Sequence, residues 1–390
     1  MKVAFVVQRY GLEINGGAEL HCRWVAEHMR KHWEIHVLTT RARDYITWKN
    51  HYTARQEEVN GIPVLRFPVA RPRDPERFGK LQRRILESEH TLQDEQEWLK
   101  EEGPYSPELI EYIRTHEGSY EFFVFFSYRY YHSYWGVQAV PHKSILVPTA
   151  ERDAVIRLHL FKDLFRAPRA FVYNSVEERD MIQALAGNVS VDGEVVGVGT
   201  EIPEAYAEED FRGAYELEGD YLIYIGRVDE NKGCRELFDF FLRFKQETGS
   251  DLRLVLVGSS VIKIPQHPDV VYLGFLPEQD KFAALQGALL LCMPSFYESL
   301  SMVTLEAWAL EKPVLANARC DVLQGQSRRS RAGLYYSGYE EFRDALRLML
   351  ADKRLRQAMG AQGRRYFKDH YTWDTIEGKY LDLVRRVGAA

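Results

Sequence analysis

The chain has 390 residues, more than one hydrophobic core comfortably organises, and its length suits two domains of roughly 150–200 residues with a cleft between them. Hydrophobic residues at 45% and charged residues at 28% are the proportions of a globular protein and exclude a disordered or fibrous chain. A net charge of −6, from 51 basic and 57 acidic residues, excludes a broad nucleic-acid footprint, so any anion site must be local.

The chain opens with "MKVAFVVQRYG", whose apolar run Val3 to Val7 is far short of a signal-peptide core. No segment approaches the roughly 20 apolar residues of a membrane span. The expected location is the cytoplasm, with peripheral contact at the inner membrane face as the alternative. Short β-rich runs then alternate with helical patterns, the signature of parallel sheets with crossover helices. In the first half the predicted strands are 2–7, 34–39, 63–67, 121–126, 144–148, 170–174 and 193–198. Residues 70–117 form a polar insertion, expected to be helical, with six basic and two acidic residues between Arg71 and Arg84. That stretch reads either as a solvated helix face or as a patch for an anionic acceptor or membrane surface.

The acidic, weakly periodic stretch 197–220 reads as a linker, which places the domain boundary at 199/200. Strands resume at 221–226, 252–258, 270–274, 289–294 and 312–317, and the second domain extends to 370. An amphipathic helix within 371–390 closes the chain and is expected to pack back towards the first domain. The four cysteines, Cys22, Cys234, Cys292 and Cys320, have no metal-ligand spacing and read as small buried hydrophobes.

Three stretches can carry chemistry. After the first strand, Gly16 and Gly17 precede a helix; a glycine pair there lets backbone approach a ligand, and the helix N-terminus favours phosphate. The run is not GxGxxG, so a dinucleotide fingerprint is missing. After the first strand of the second half, "YIGRVDENKG" offers Arg227 and Lys232 near the strand's carboxyl end, two cations suited to a diphosphate. Further on, "YESLSMVTLEAW" places Glu298 in a loop and Glu306 inside a helix capped by Ser299 or Ser301. Along one helix the two carboxylates would stand about 12 Å apart, too far for a dyad. Each can instead accept hydrogen bonds from a different hydroxyl-bearing part of one extended ligand.

"GGAE", then "GR…NKG", then E-x7-E, in this order and spacing, resemble the retaining nucleotide-sugar glycosyltransferases of family 4, as do "PRAFVYNS" at 168–175 and the closing helix. The resemblance implies a GT-B fold, two Rossmann-like α/β domains with parallel sheets facing across a deep cleft, acceptor in the first and donor in the second. It implies a hexosyltransferase using a UDP- or GDP-linked sugar and a glycan, lipid-linked or small-molecule acceptor. Gly16 and Gly17 would bring backbone to the donor phosphates, while Arg227 and Lys232 would neutralise the diphosphate. Glu298 would hold sugar hydroxyls, and the backbone N–H groups of Ser299, Leu300, Ser301 and Met302 would reach sugar and phosphate. Glu306 would bind the ribose, and the backbone at Leu276 would edge the base.

The chain departs from that pattern at Ser301, where the family often has a glycine, near Glu311, where it has a small residue or glycine, and where "ERD" (Glu151, Arg152, Asp153) replaces a His-Asp pair. His132 and Glu151 are the acceptor-side candidates, a packed histidine being the other reading of His132. No carboxylate is placed as a nucleophile, so front-face transfer is expected, with neither metal nor other cofactor. The rival readings are a nucleotide-sugar epimerase or other enzyme on the same fold, and a degenerate sugar-nucleotide binding protein.

Overall fold

The computed structural model describes residues 1–203 and 208–388; positions 204–207 of the expected linker lie outside them. Two units result, Met1–Gly199 with Ile376–Ala390, and Thr200–Thr375.

The first unit is built on strands β1 (Lys2–Val6), β2 (Glu34–Thr40), β3 (Gln56–Val59), β4 (Ile62–Phe67), β5 (Phe122–Phe126), β6 (Ser144–Val147), β7 (Ala170–Tyr173) and β8 (Asp192–Val195). They form one sheet in the order β3-β4-β2-β1-β5-β6-β7-β8. Among the described residues only the β3/β4 strand pair of this sheet is antiparallel. Its helices are α1 (Gly17–Met29), α2 (Pro75–Glu87), α3 (Leu92–Glu102), α4 (Pro107–Thr115), α5 (Tyr131–Ala139), α6 (His159–Leu164) and α7 (Val176–Ala186). Central strands such as β5, "FFVFF", are buried at every position because helices cover both faces of a parallel sheet.

The second unit holds α8 (Glu208–Ala214), β9 (Tyr221–Ile225), α9 (Cys234–Thr248), β10 (Arg253–Val257), β11 (Val270–Gly274), α10 (Glu278–Gly287), β12 (Leu290–Met293), α11 (Met302–Ala309), β13 (Val314–Asn317), α12 (Asp321–Ser330), β14 (Gly333–Tyr336), α13 (Tyr339–Ala351) and α14 (Lys353–His370). Its strands run parallel in the order β11-β10-β9-β12-β13-β14. The chain starts this sheet at β9, grows it one way to β11, then returns to lay β12 on the other side. The connections after β9 and β12 therefore run towards opposite edges of the sheet, which makes the carboxyl ends of these two strands its switch point. The first sheet has its own switch point between β1 and β5.

The last helix, α15 (Trp373–Gly388), belongs to the first unit from Ile376 onwards. There Glu377 accepts from Lys31 at 2.8 Å and lies 3.0 Å from His32, and Tyr380 meets Trp33 edge-on. All four cysteines are free and buried.

Residues 70–117 carry α2, α3 and α4. Asp74 caps α2 ahead of Pro75, and Thr91 with Asp94 closes a capping box on α3. Arg71, Arg77 and Arg84 pair with Glu101, Glu97 and Asp94 respectively, Arg73 with Glu102, and Lys80 with Glu76. Five of the six basic residues of this run thus pair with the insertion's own acids.

Two strands escape the sequence pattern. β3, "QEEV", is a polar strand with no apolar run at an edge of the first sheet, and β14 is four residues at an edge of the second. Edges need no continuous hydrophobicity because one side lacks a neighbour.

Candidate active site

At the second unit's switch point, glycine sets how closely the loops can approach. Strand β9 is followed by Gly226, with φ 152°, and a side chain on Gly258, just after β10, would overlap the Gly226 carbonyl. The loop then turns around Asp229, whose carboxylate is buried. Its Oδ1 accepts the Lys232 backbone N–H at 2.7 Å, and its Oδ2 accepts Arg227 Nε at 2.5 Å. Tyr224 donates its hydroxyl to the Arg227 carbonyl at 2.8 Å.

Gly233, with φ 70°, ends this loop and caps α9. A Cβ there would overlap the Pro294 carbonyl oxygen, which also accepts from Asn317 Nδ2 at 2.9 Å at the end of β13. The loops after β9 and β12 are thereby pressed together. As a result Lys232 Nζ donates to Glu298 Oε1 at 2.8 Å and to the Tyr297 carbonyl at 3.3 Å.

The sequence presents Arg227 and Lys232 as two local cations. The structure gives each a carboxylate, Asp229 for Arg227 and Glu298 for Lys232, so the loop is a set of oriented ion pairs. Asp229 lay in view two positions after Arg227, but nothing in the spacing marked it as buried.

Glu298 sits in the loop before α11. Ser301 caps that helix, its hydroxyl accepting from the Thr304 N–H at 3.3 Å, so the serine that replaces a glycine has a structural use. Helix α11 is fixed from behind by α14. A side chain on Gly360 would overlap the Glu311 carbonyl, and one on Gly363 would overlap the Trp308 ring. Glu311 itself holds φ 58°, the left-handed conformation that favours glycine.

Glu306, one turn into α11, is 3% exposed. Its Oε1 accepts Lys281 Nζ from α10 at 2.9 Å, and the same ammonium pairs with Glu278 at 2.9 Å. Among the described residues Glu306 Oε2 is buried with no hydrogen-bond partner. Burial pushes the Glu306 carboxyl upwards while Lys281 draws it back. Burial disfavours the Lys281 ammonium, but Glu306 and Glu278 outweigh that and raise its pKa. Lys281 was not among the predicted residues, and 25 positions of separation leave no local signal. Leu276 is buried in the turn between β11 and α10, beside the exposed Phe275.

In the first unit Gly16 caps α1, and a Cβ on it would overlap the Glu19 carboxylate. That carboxylate accepts Arg9 Nε at 2.8 Å, both groups being buried. Gly17 has open space around its Cα. Thus Gly16 makes room for an ion pair that the sequence did not reveal, and Gly17 leaves the start of α1 uncovered.

The expectation of His132 on the acceptor side meets a correction. Its side chain has no accessible surface, Nε2 lies 3.2 Å from the Phe126 carbonyl, and the ring stacks on Tyr130. Burial lowers its pKa to about 4, so it is a neutral packed histidine. Glu151 is partly exposed at the turn after β6. Its neighbour Asp153 accepts from Arg129 at 2.9 Å, and Arg129 also pairs with Glu102 at 2.5 Å. Behind them the buried Glu178 accepts the N–H groups of Ala150 and Asn174, and burial pushes it up to about 8.

Both units are doubly wound, and over its whole length the chain superimposes on sucrose-phosphate synthase from Thermosynechococcus elongatus with a TM-score of 0.71 at 16% identity, covering 100% of this chain and 99% of that one. The fold is GT-B. The Anabaena HepE structure in complex with UDP aligns equally well, with a TM-score of 0.71 at 15% identity over 99% of this chain and 100% of that one. In sequence, residues 207–366 match the family described as Glycosyl transferases group 1, the stretch that carries Arg227, Lys232, Glu298 and Glu306. The D-inositol 3-phosphate glycosyltransferase of Jonesia denitrificans is 27% identical over 190 residues, 44% of each chain. The chain thus spans less than half the length of the curated relatives it matches. The group 1 domain on a GT-B fold supports a glycosyltransferase. Among the described residues no helix is long and apolar enough to cross a membrane.

Proposed function

We propose that the protein is a retaining glycosyltransferase, of the family 4 type, that moves a hexose from a nucleotide diphosphate sugar to a hydroxyl of a glycan, lipid-linked or small-molecule acceptor. One observation carries the reading. Arg227 and Lys232 after β9 and Glu298 after β12 converge at the switch point of the six-stranded sheet, where parallel α/β sheets bind ligands.

In this reading Arg227 and Lys232 face the diphosphate, Arg227 oriented by Asp229 and Lys232 by Glu298. Glu298 accepts hydroxyls of the donor sugar, since a carboxylate has about four acceptor positions and Lys232 takes one. The N–H groups of Ser299 to Met302, at the start of α11, reach sugar and phosphate. Glu306 Oε2, buried and unpartnered among the described residues, receives a ribose hydroxyl, and backbone at Leu276 edges the base. The acceptor belongs to the first unit, with Glu151 as its polar candidate.

Transfer is front-face. The bond from the anomeric carbon to the diphosphate oxygen breaks, the acceptor oxygen bonds on the same face, and the acceptor's proton passes to the departing phosphate. Electrostatic stabilisation of that leaving charge is the main catalytic contribution, of the order of 3–4 kcal/mol per well-placed donor. No metal is required in this scheme.

The test is nucleotide release from UDP-glucose and from GDP-linked sugars, with and without an acceptor panel. UDP-glucose comes first because HepE structures are described in complex with it. A transferase releases the diphosphate faster with acceptor, keeps the anomeric configuration in the product, and works in a metal chelator. Binding without turnover across the panel, or inversion, would overturn the proposal.

A further inference from the structure

Outside the candidate donor site, three ionisable side chains converge where the insertion meets the rest of the first unit. His90, Glu95 and His159 each bring one ligand-type atom within 4.8 Å of the others. Glu95, on α3, is fully buried. Its Oε2 accepts the Leu160 N–H at 2.8 Å, and its Oε1 accepts the His159 N–H at 3.0 Å. Both imidazoles turn to that same Oε1, His90 by Nε2 and His159 by Nδ1, each at 3.0 Å.

The geometry of His90 is the informative part. Its Nδ1 lies 2.9 Å from the Ser88 carbonyl and its Nε2 faces the Glu95 carboxylate, so both nitrogens look at acceptors. A neutral imidazole has a single N–H, so this arrangement calls either for a second proton or for a cation at Nε2. An N–H held by a backbone carbonyl, with the other nitrogen aimed into a cluster, is how metal-binding histidines are oriented. The His159 side chain is 71% exposed, so its proton can sit on Nε2 while Nδ1 turns inward, and solvent reaches the cluster.

We propose that His90 Nε2, Glu95 Oε1 and His159 Nδ1 bind one Zn2+, with water as the fourth ligand, fastening α3 of the insertion to α6. Two imidazoles and a carboxylate are a zinc ligand set. Tetrahedral zinc with bonds of about 2.0–2.1 Å separates its ligands by about 3.3 Å, so atoms now 3.0 Å apart need only a slight spreading. The ion replaces the two imidazole protons that point at Oε1. The His159 proton moves to its exposed nitrogen, and an extra proton on His90 leaves to solvent. The two helices already pack, Trp98 of α3 edge-on to Phe161 of α6, so the ion locks an existing contact. This role is structural and separate from sugar transfer.

The experiment is calorimetric titration of the chelator-stripped full chain with ZnCl2 at neutral pH, beside thermal unfolding with and without the ion. One saturable zinc per chain and a rise in Tm are expected, with Mg2+ inert because it prefers oxygen ligands. His159→Ala changes an exposed side chain, so the fold should persist while zinc affinity falls by at least about 10-fold and the Tm rise disappears. His90→Ala should do the same, whereas His142→Ala, on the surface outside the cluster, should change neither. Absence of saturable binding to the parent chain, or an affinity that His159→Ala leaves unchanged, overturns the proposal.

Discussion

Replacing Glu306 by Gln tests the proposed donor site at its most constrained group. The carboxylate is buried, Lys281 occupies Oε1 at 2.9 Å, and among the described residues Oε2 has no partner. If a ribose hydroxyl donates to Oε2, the bond is charge-assisted and contributes about 1.5–3 kcal/mol. Glu306→Gln should then weaken UDP binding by roughly 10- to 150-fold, at about 1.4 kcal/mol per tenfold. The fold should survive, because Lys281 keeps Glu278 at 2.9 Å. Calorimetric titration with UDP and with 2′,3′-dideoxy-UDP separates the ribose contact from a general loss. The dideoxy nucleotide should bind the parent chain more weakly and be nearly indifferent to the substitution. An equal loss for both nucleotides would refute the ribose assignment. Lys281→Met should act differently, leaving a buried carboxylate uncompensated at a cost of about 3–5 kcal/mol in stability.

Gly233→Ala forces a Cβ onto the Pro294 carbonyl at a positive φ, so chemical denaturation should show a loss of at least about 2 kcal/mol, with nucleotide binding impaired as Lys232 and Glu298 separate. At Glu311, in the left-handed region, Gly should be more stable than Ala by about 1 kcal/mol; equal stability would contradict that backbone reading. His132 has its pKa lowered by burial from 6.5 to about 4, so the unfolded chain binds a proton that the folded chain refuses. Its stabilising share is therefore complete above pH 6.5 and lost as pH falls towards 4. The stability difference between parent and His132→Gln should change by about 1.4 kcal/mol per pH unit inside that window and flatten outside it. A flat difference throughout would mean that His132 is solvated.

What could be read from the chain was whatever is written in local periodicity. Apolar runs such as "KVAFVV", "EFFVFF" and "LRLVLVG" mark buried parallel strands because both sheet faces must be covered, and the helix between each pair announces the crossover. The loop position of Glu298 and the helical position of Glu306 follow the same way, from the strand that ends at "CMP" and the period of "SMVTLEAWAL". By contrast the polar β3 could be found only by its pairing with β4, since an edge strand needs no hydrophobic pattern.

The site's electrostatics were settled by tertiary structure. Arg227 and Lys232 read as two cations until the fold set Asp229 against one and Glu298 against the other. Lys281 reaches Glu306 only because the fold of the second unit brings α10 and α11 within side-chain reach, and Glu19 meets Arg9 only because Gly16 leaves room. His132 among its tyrosines left a packed residue and an acceptor-side residue both open until the fold removed its surface. Sequence records which groups are present and their local period, whereas charge pairing and desolvation depend on distances of 3 Å or so between residues remote along the chain. Those distances exist only once the sheets have formed and their loops have been pressed together.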